Sequence, residues 1–207
     1  LWPLYLFVGG ATTVNVAIDI WTKAEITPLP ENQIELISDD LGVRRIFSNL
    51  SECLADLDPK LDLIKVQLKY WKPSQGFRLQ TSSESPVGGG LGGSSSLTIS
   101  LLKAFELFCG QRFFSTHKIV DVAHHIEAEV LNTPTGTQDY YAAVSGGLNI
   151  LTYNYEGVSQ EVLSIDSSYL VSHFLLVYTG RSHHSGINNF EVMKKAGLYD
   201  ATYMCFA

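Results

Sequence analysis

The sequence predicts an α+β fold, on three observations. Period-two alternation recurs near the start of the chain, helical apolar stripes appear from residue 49 onward, and a glycine-rich stretch joins a strand to a helix. Residues 13–21 alternate, with Val14, Val16, Ile18 and Ile20 expected on one buried face and Asn15 and Asp19 on the other. Residues 24–28 and 33–38 read as further strands on either side of Pro28-Leu29-Pro30, giving an early β-meander. The period then changes: Leu50, Cys53, Leu54 and Leu57 form a helical stripe, and Asp58-Pro59 opens a second helix carrying Leu61, Ile64, Leu68 and Trp71. Pro73 and Gly76 end it, and 77–83 alternates again as a strand. Beyond the glycines, Leu97, Leu101, Ala104, Phe105 and Phe108 define a helix stopped by Cys109-Gly110. Ser115 or Thr116 caps the next one, with Ile119, Ala123, Ile126 and Val130 on its apolar face. A short helix is expected to begin at Asp139, strands at 148–153 and 174–178 with a hairpin turn at Glu156-Gly157, and a last helix around 190–195.

Composition narrows the function. The 207 residues are 45% hydrophobic, enough to bury a core as one large or two small domains. A net charge of −7 argues against nucleic acid or an anionic membrane as a partner, so any phosphate binding must be local. No apolar run reaches the roughly 18 residues of a membrane span. Cys53, Cys109 and Cys205 are odd in number and far apart, which points to reduced thiols and a cytoplasmic setting. His124-His125 and His183-His184 lack partners at zinc spacing, so a structural metal site is not expected.

The glycine stretch carries the chemistry. Gly88, Gly89, Gly90, Gly92 and Gly93, interrupted only by Leu91, remove the Cβ atoms that would keep a ligand from the backbone and permit positive φ. Ser94, Ser95 and Ser96 then fall at a helix N-terminus, where free N–H groups favour phosphate and hydroxyls can hold magnesium. A dinucleotide fingerprint would require an acidic residue closing a second strand about 20 positions later, where a helix arrives instead. A Walker A loop would require a lysine where Ser94 stands. Glu127 falls beside the core stripe of its helix, so its carboxylate needs a cation or hydrogen bonds to stay ionised.

Two motifs in register resemble the GHMP kinases, the family of galactokinase, homoserine kinase, mevalonate kinase and phosphomevalonate kinase. One is Pro86-x-x-x-Gly90-Leu91-Gly92-x-Ser94-Ser95; the other is Glu127 followed by Pro134-x-Gly136-x-x-Asp139. The run Gly136-Thr-Gln138-Asp139-Tyr-Tyr-Ala-Ala, ending at Gly146-Gly147-Leu148-Asn149, looks most like the heptose 7-phosphate kinase branch and, more distantly, fucose kinases. One departure is Gly93, where the family usually has a serine.

The resemblance implies the family's N-terminal domain, of the ribosomal protein S5 domain 2-like kind, a mixed sheet packed with helices. It places an ATP-binding domain at 1–180 and the start of an incomplete C-terminal region at 181–207. The chain opens on Leu1 in apolar text and shows neither the family's first nor its third motif. The expectation is a piece of a two-domain protein of about 300 residues or more. The activity implied is transfer of the γ-phosphate of ATP to a hydroxyl of a sugar or sugar phosphate, first of all heptose 7-phosphate. Galactose or fucose phosphorylation, and a non-catalytic nucleotide- or sugar-binding module, are the alternatives. In residues, 88–95 would hold the phosphates, Ser94 and Glu127 would ligate Mg2+, and Asp139, the catalytic residue, would accept the proton of the attacking sugar hydroxyl or orient it. Gly136, Gln138, Arg181 and His183 would join Asp139 in facing the sugar. Arg181 is the expected phosphate anchor because its planar fork gives paired charge-assisted hydrogen bonds. The resemblance also admits a homodimer.

Overall fold

The computed structural model describes residues 10–113, 115–164, 166–177 and 180. Within them the strands form two sheets. Strands β2 (Thr22–Pro28), β3 (Ile34–Ser38), β4 (Val43–Phe47) and β5 (Phe77–Ser83) make a mixed sheet in the order β2-β5-β3-β4. β5 runs antiparallel to β2 and parallel to β3, with Leu79 opposite both Ile26 and Leu36. Strands β1 (Ala11–Val16), β6 (Leu148–Asn154) and β7 (Gly157–Leu163) make an antiparallel sheet in the order β1-β6-β7. The α+β class with a mixed sheet is as expected.

The helices are α1 (Leu50–Ala55), α2 (Asp62–Trp71), α3 (Gly93–Phe108), α4 (Thr116–Leu131), α5 (Gln138–Ser145) and α6 (Ser167–His173), with a 3-10 turn at Pro59–Leu61. Their ends follow from local chemistry. Asn49 caps α1 by accepting from the Glu52 N–H, Asp58 caps the 3-10 turn, and Ser115 accepts from the Lys118 N–H at the start of α4. Asn132 adopts the left-handed conformation that closes α4.

The core joins the four-stranded sheet to the helices. Phe105 of α3 is fully buried, stacks on Trp71 of α2 and meets Phe77 of β5 edge-on. Buried Gln67 donates to the Thr98 carbonyl and accepts from the Trp71 indole N–H, so α2 is fastened to α3 with its polar atoms satisfied. Thr22 on β2 hydrogen-bonds Ser96 and Ser100, fixing the first two turns of α3 on the sheet. No helix among the described residues is long and apolar enough to cross a membrane.

Three expectations are corrected. The early strands do not form a meander, because β5 inserts between β2 and β3; its Phe77, Leu79 and Thr81 are among the most buried residues and take the central position. The first strand ends at Val16, and its apolar face is turned outward: Val14 is 60% and Val16 38% exposed. Asn15 faces inward instead, where its Nδ2 donates to the Gln138 carbonyl at 2.6 Å, so a polar tie to α5 decides the orientation. Residues 174–177 form no strand, since no described strand pairs with them, and Leu175 is 88% exposed. The ladder next to β6 is supplied by β7, after a turn in which Asn154 Oδ1 accepts from the N–H groups of Glu156 and Gly157. The helix expected at 190–195 lies outside the described residues.

Candidate active site

The loop between β5 and α3 is built to expose backbone donors. Gly89 N–H closes a turn on the Pro86 carbonyl, and Gly88, Gly90 and Gly92 adopt φ of 67°, 75° and 70°. Alternating left-handed glycines are the backbone pattern that can turn successive N–H groups toward one bound anion. Gly92 is also the N-cap of α3 and has no side chain to bond the first turn, so those N–H groups remain available to a ligand. Gly93 has a further reason to be glycine: a Cβ there would lie 2.8 Å from both Cβ and Oγ of Ser85. Ser85, across the loop, thus leaves no room for a side chain at 93.

Two carboxylates face this cradle across a cleft of about 530 Å3. Glu127, buried to 7% exposure on α4, accepts from Ser95 Oγ at 3.1 Å and from the Tyr140 hydroxyl, both on Oε2. Asp139 stands in the first turn of α5, its carboxylate open to the cleft. Crowding by surrounding protein, and next the Glu127 charge, hold its pKa above the ordinary aspartate value. Gly92 is packed directly against it, since a Cβ on Gly92 would come within 3.3 Å of Asp139 Cβ.

The structure brings together in this cleft Gly88, Gly89, Gly90, Gly92, Gly93, Ser94, Ser95, Glu127, Gly136, Gln138 and Asp139. Leu91 stays in the loop with its side chain half-buried. Ser95, and not Ser94, contacts Glu127; Ser94 is exposed on the first turn of α3. The Gln138 side chain folds over Gly136, where a Cβ would meet its Oε1 at 2.5 Å. Arg181 and His183 lie outside the described residues. Among the described residues the lining contains no lysine or arginine, and no cluster of three or more His, Cys, Asp or Glu could hold a metal by itself.

Sequence reasoning missed Tyr140, His124 and Asn15. His124 is partly buried on α4, near the Thr135 backbone in the turn ahead of Asp139. Asn15 secures the start of α5 from a strand more than a hundred residues away. The signal for Tyr140 was its place beside Asp139, but only the packing shows that it turns onto Glu127.

Known proteins are similar to this chain. Residues 55–147 match the GHMP kinases N terminal domain, a span that runs from the end of α1 through the glycine loop, Glu127 and Asp139. Residues 55–147 are a GHMP kinase N-terminal domain. The chain is 30% identical to D-glycero-alpha-D-manno-heptose 7-phosphate kinase of Campylobacter jejuni, over 96% of this chain and 63% of that protein. It is 25% identical to mevalonate kinase of Methanocaldococcus jannaschii, over 74% of this chain and 52% of that one. A crystal structure of a D-glycero-D-manno-heptose 1-phosphate kinase from Bacteroides thetaiotaomicron superposes on the GHMP domain with a TM-score of 0.71 at 24% identity, covering 83% of this chain and 56% of that one, which establishes the shared fold. The chain thus spans between about half and two thirds of the length of these two relatives.

Proposed function

We propose that this domain binds ATP through the loop at 88–95 and supports transfer of its γ-phosphate to a hydroxyl of a sugar phosphate. The observation that carries the reading is the cleft's charge pattern. A backbone N–H cradle faces Glu127 and Asp139 with no lysine or arginine in the described lining. A triphosphate held there meets carboxylates of its own sign, and a divalent cation removes that repulsion. The donor set fits magnesium: a carboxylate and serine hydroxyls are hard oxygens, and magnesium is usually held by one or two protein ligands together with substrate phosphates. Glu127 and Ser94 would hold the ion, which would neutralise phosphate charge.

The remaining work falls to the chain's own groups. The loop N–H groups bind and orient the phosphates, and Asp139 accepts the proton of the acceptor hydroxyl, a task its raised pKa suits. Gly136 and Gln138 border the acceptor side, and Arg181 and His183 are assigned to the acceptor from sequence alone. The relative at 30% identity supports heptose 7-phosphate as the acceptor; galactose and fucose are the other sugars to try. A binding module without catalysis has no need of both carboxylates, which weighs against that alternative.

The test is ATP consumption with magnesium across a panel of sugars and sugar phosphates. Turnover with heptose 7-phosphate, abolished in E127Q, is the expected result. Absence of ATP binding in a folded protein would overturn the reading. Arg181→Lys is expected to raise KM for the sugar phosphate far more than KM for ATP.

A further inference from the structure

Consecutive residues of α5 serve the two carboxylates differently. Asp139 opens into the cleft, whereas Tyr140 is completely buried and directs its hydroxyl onto Glu127. The hydroxyl donates to Oε2, the same oxygen that accepts from Ser95 Oγ, and among the described residues no donor is bonded to Oε1. Thr135 Oγ1 lies 3.5 Å from the Tyr140 hydroxyl, so the turn preceding Asp139 also meets this phenol. Three elements therefore converge on one carboxylate: α3 through Ser95, α4 through Glu127 itself, and α5 through Tyr140.

We propose that Tyr140 is a positioning residue which, together with Ser95, holds Glu127 by Oε2 so that Oε1 is presented to a divalent cation bound with ATP. This rests on the reading of Glu127 as the cation-facing carboxylate. A glutamate has three rotatable bonds and loses rotamer freedom when it binds an ion. Two hydrogen bonds made in advance remove most of that loss and fix the direction of approach. A phenol is suited to the task because its ring fills the core while its single O–H donates. The same helix thus fixes the spacing between the cation-facing and proton-accepting carboxylates: a shift of α5 moves Asp139 and the clamp on Glu127 together.

The test measures ATP affinity by calorimetry twice for each protein, with excess Mg2+ and with chelator, for the wild type, Y140F, S95A and E127Q. The quantity read is the gain in affinity that magnesium provides. E127Q is expected to lose it, and Y140F to reduce it about tenfold, the scale of an outer-sphere deletion, while affinity with chelator stays unchanged. S95A removes the other donor without touching the aromatic core and is expected to cut the magnesium gain by a similar factor, whatever its affinity with chelator, which keeps the test decisive if Y140F does not fold. A full magnesium gain in E127Q overturns the reading of Glu127. Loss in E127Q with a full gain in Y140F, or in S95A where Y140F is unfolded, overturns the clamp alone. Equal weakening with and without the metal in Y140F shows a purely structural role and also overturns the clamp.

Discussion

Gly92 and Asp139 are in direct contact: a Cβ on Gly92 would sit 3.3 Å from Asp139 Cβ and 3.6 Å from its Oδ2. The glycine loop and the Asp139 carboxylate are therefore two sides of one packed junction. Gly92 also has φ of 70°, which costs an L-residue about 1 kcal/mol. Gly92→Ala is expected to lower both ATP affinity and turnover while melting only a few degrees below the wild type. A variant with unchanged turnover would show that the junction is slack.

Ser85 and Gly93 face each other across the loop. Gly93→Ser places a Cβ 2.8 Å from Ser85 Cβ and Oγ. The single variant is expected to lose stability by about 1–3 kcal/mol, the usual cost of overpacking. Adding Ser85→Gly is expected to recover part of that loss. Additive effects in the double-mutant cycle would contradict the contact.

Asp139→Asn keeps the shape of the side chain and removes its capacity to accept a proton. Turnover is expected to fall by about 10²–10⁴, the range of a lost general base, with ATP affinity retained or improved. Improvement follows because the aspartate charge repels the phosphates. Single-turnover kinetics alongside equilibrium binding would separate the two effects, and wild-type turnover would remove Asp139 from the mechanism.

Acid sensitivity is expected from Glu35. Its carboxylate accepts from Arg78 Nε at 2.6 Å and from Arg44 Nη2 at 2.7 Å, and these partners, Arg78 first, hold its pKa below the ordinary 4.5. A lowered folded-state pKa contributes stability above about pH 4.5 and loses it as pH falls through the folded value. The Tm of Glu35→Gln is therefore expected to lie below that of the wild type at neutral pH and to converge with it in acid. A pH-independent gap would assign the effect to packing.

The sequence by itself determined the elements and the chemistry that are local. The spacing of Leu97, Leu101 and Phe105 made α3 legible, the glycines before it identified an anion cradle, and Glu127 stood out because a carboxylate beside an apolar stripe must find a partner. These features depend on neighbours within one or two turns. Tertiary structure decided what depends on residues far apart. It placed β5 between β2 and β3, because competition among strands for the centre is settled by total burial, which no single strand encodes. It turned Val14 and Val16 outward, because Asn15 found the Gln138 carbonyl 123 positions away. It set Ser95 rather than Ser94 against Glu127, because the rotation of α3 is fixed by Thr22 on β2 hydrogen-bonding Ser96 and Ser100, and it aimed Tyr140 at the same carboxylate. Periodicity shows which side chains share a face, but the partner of that face is chosen only when the chain closes on itself.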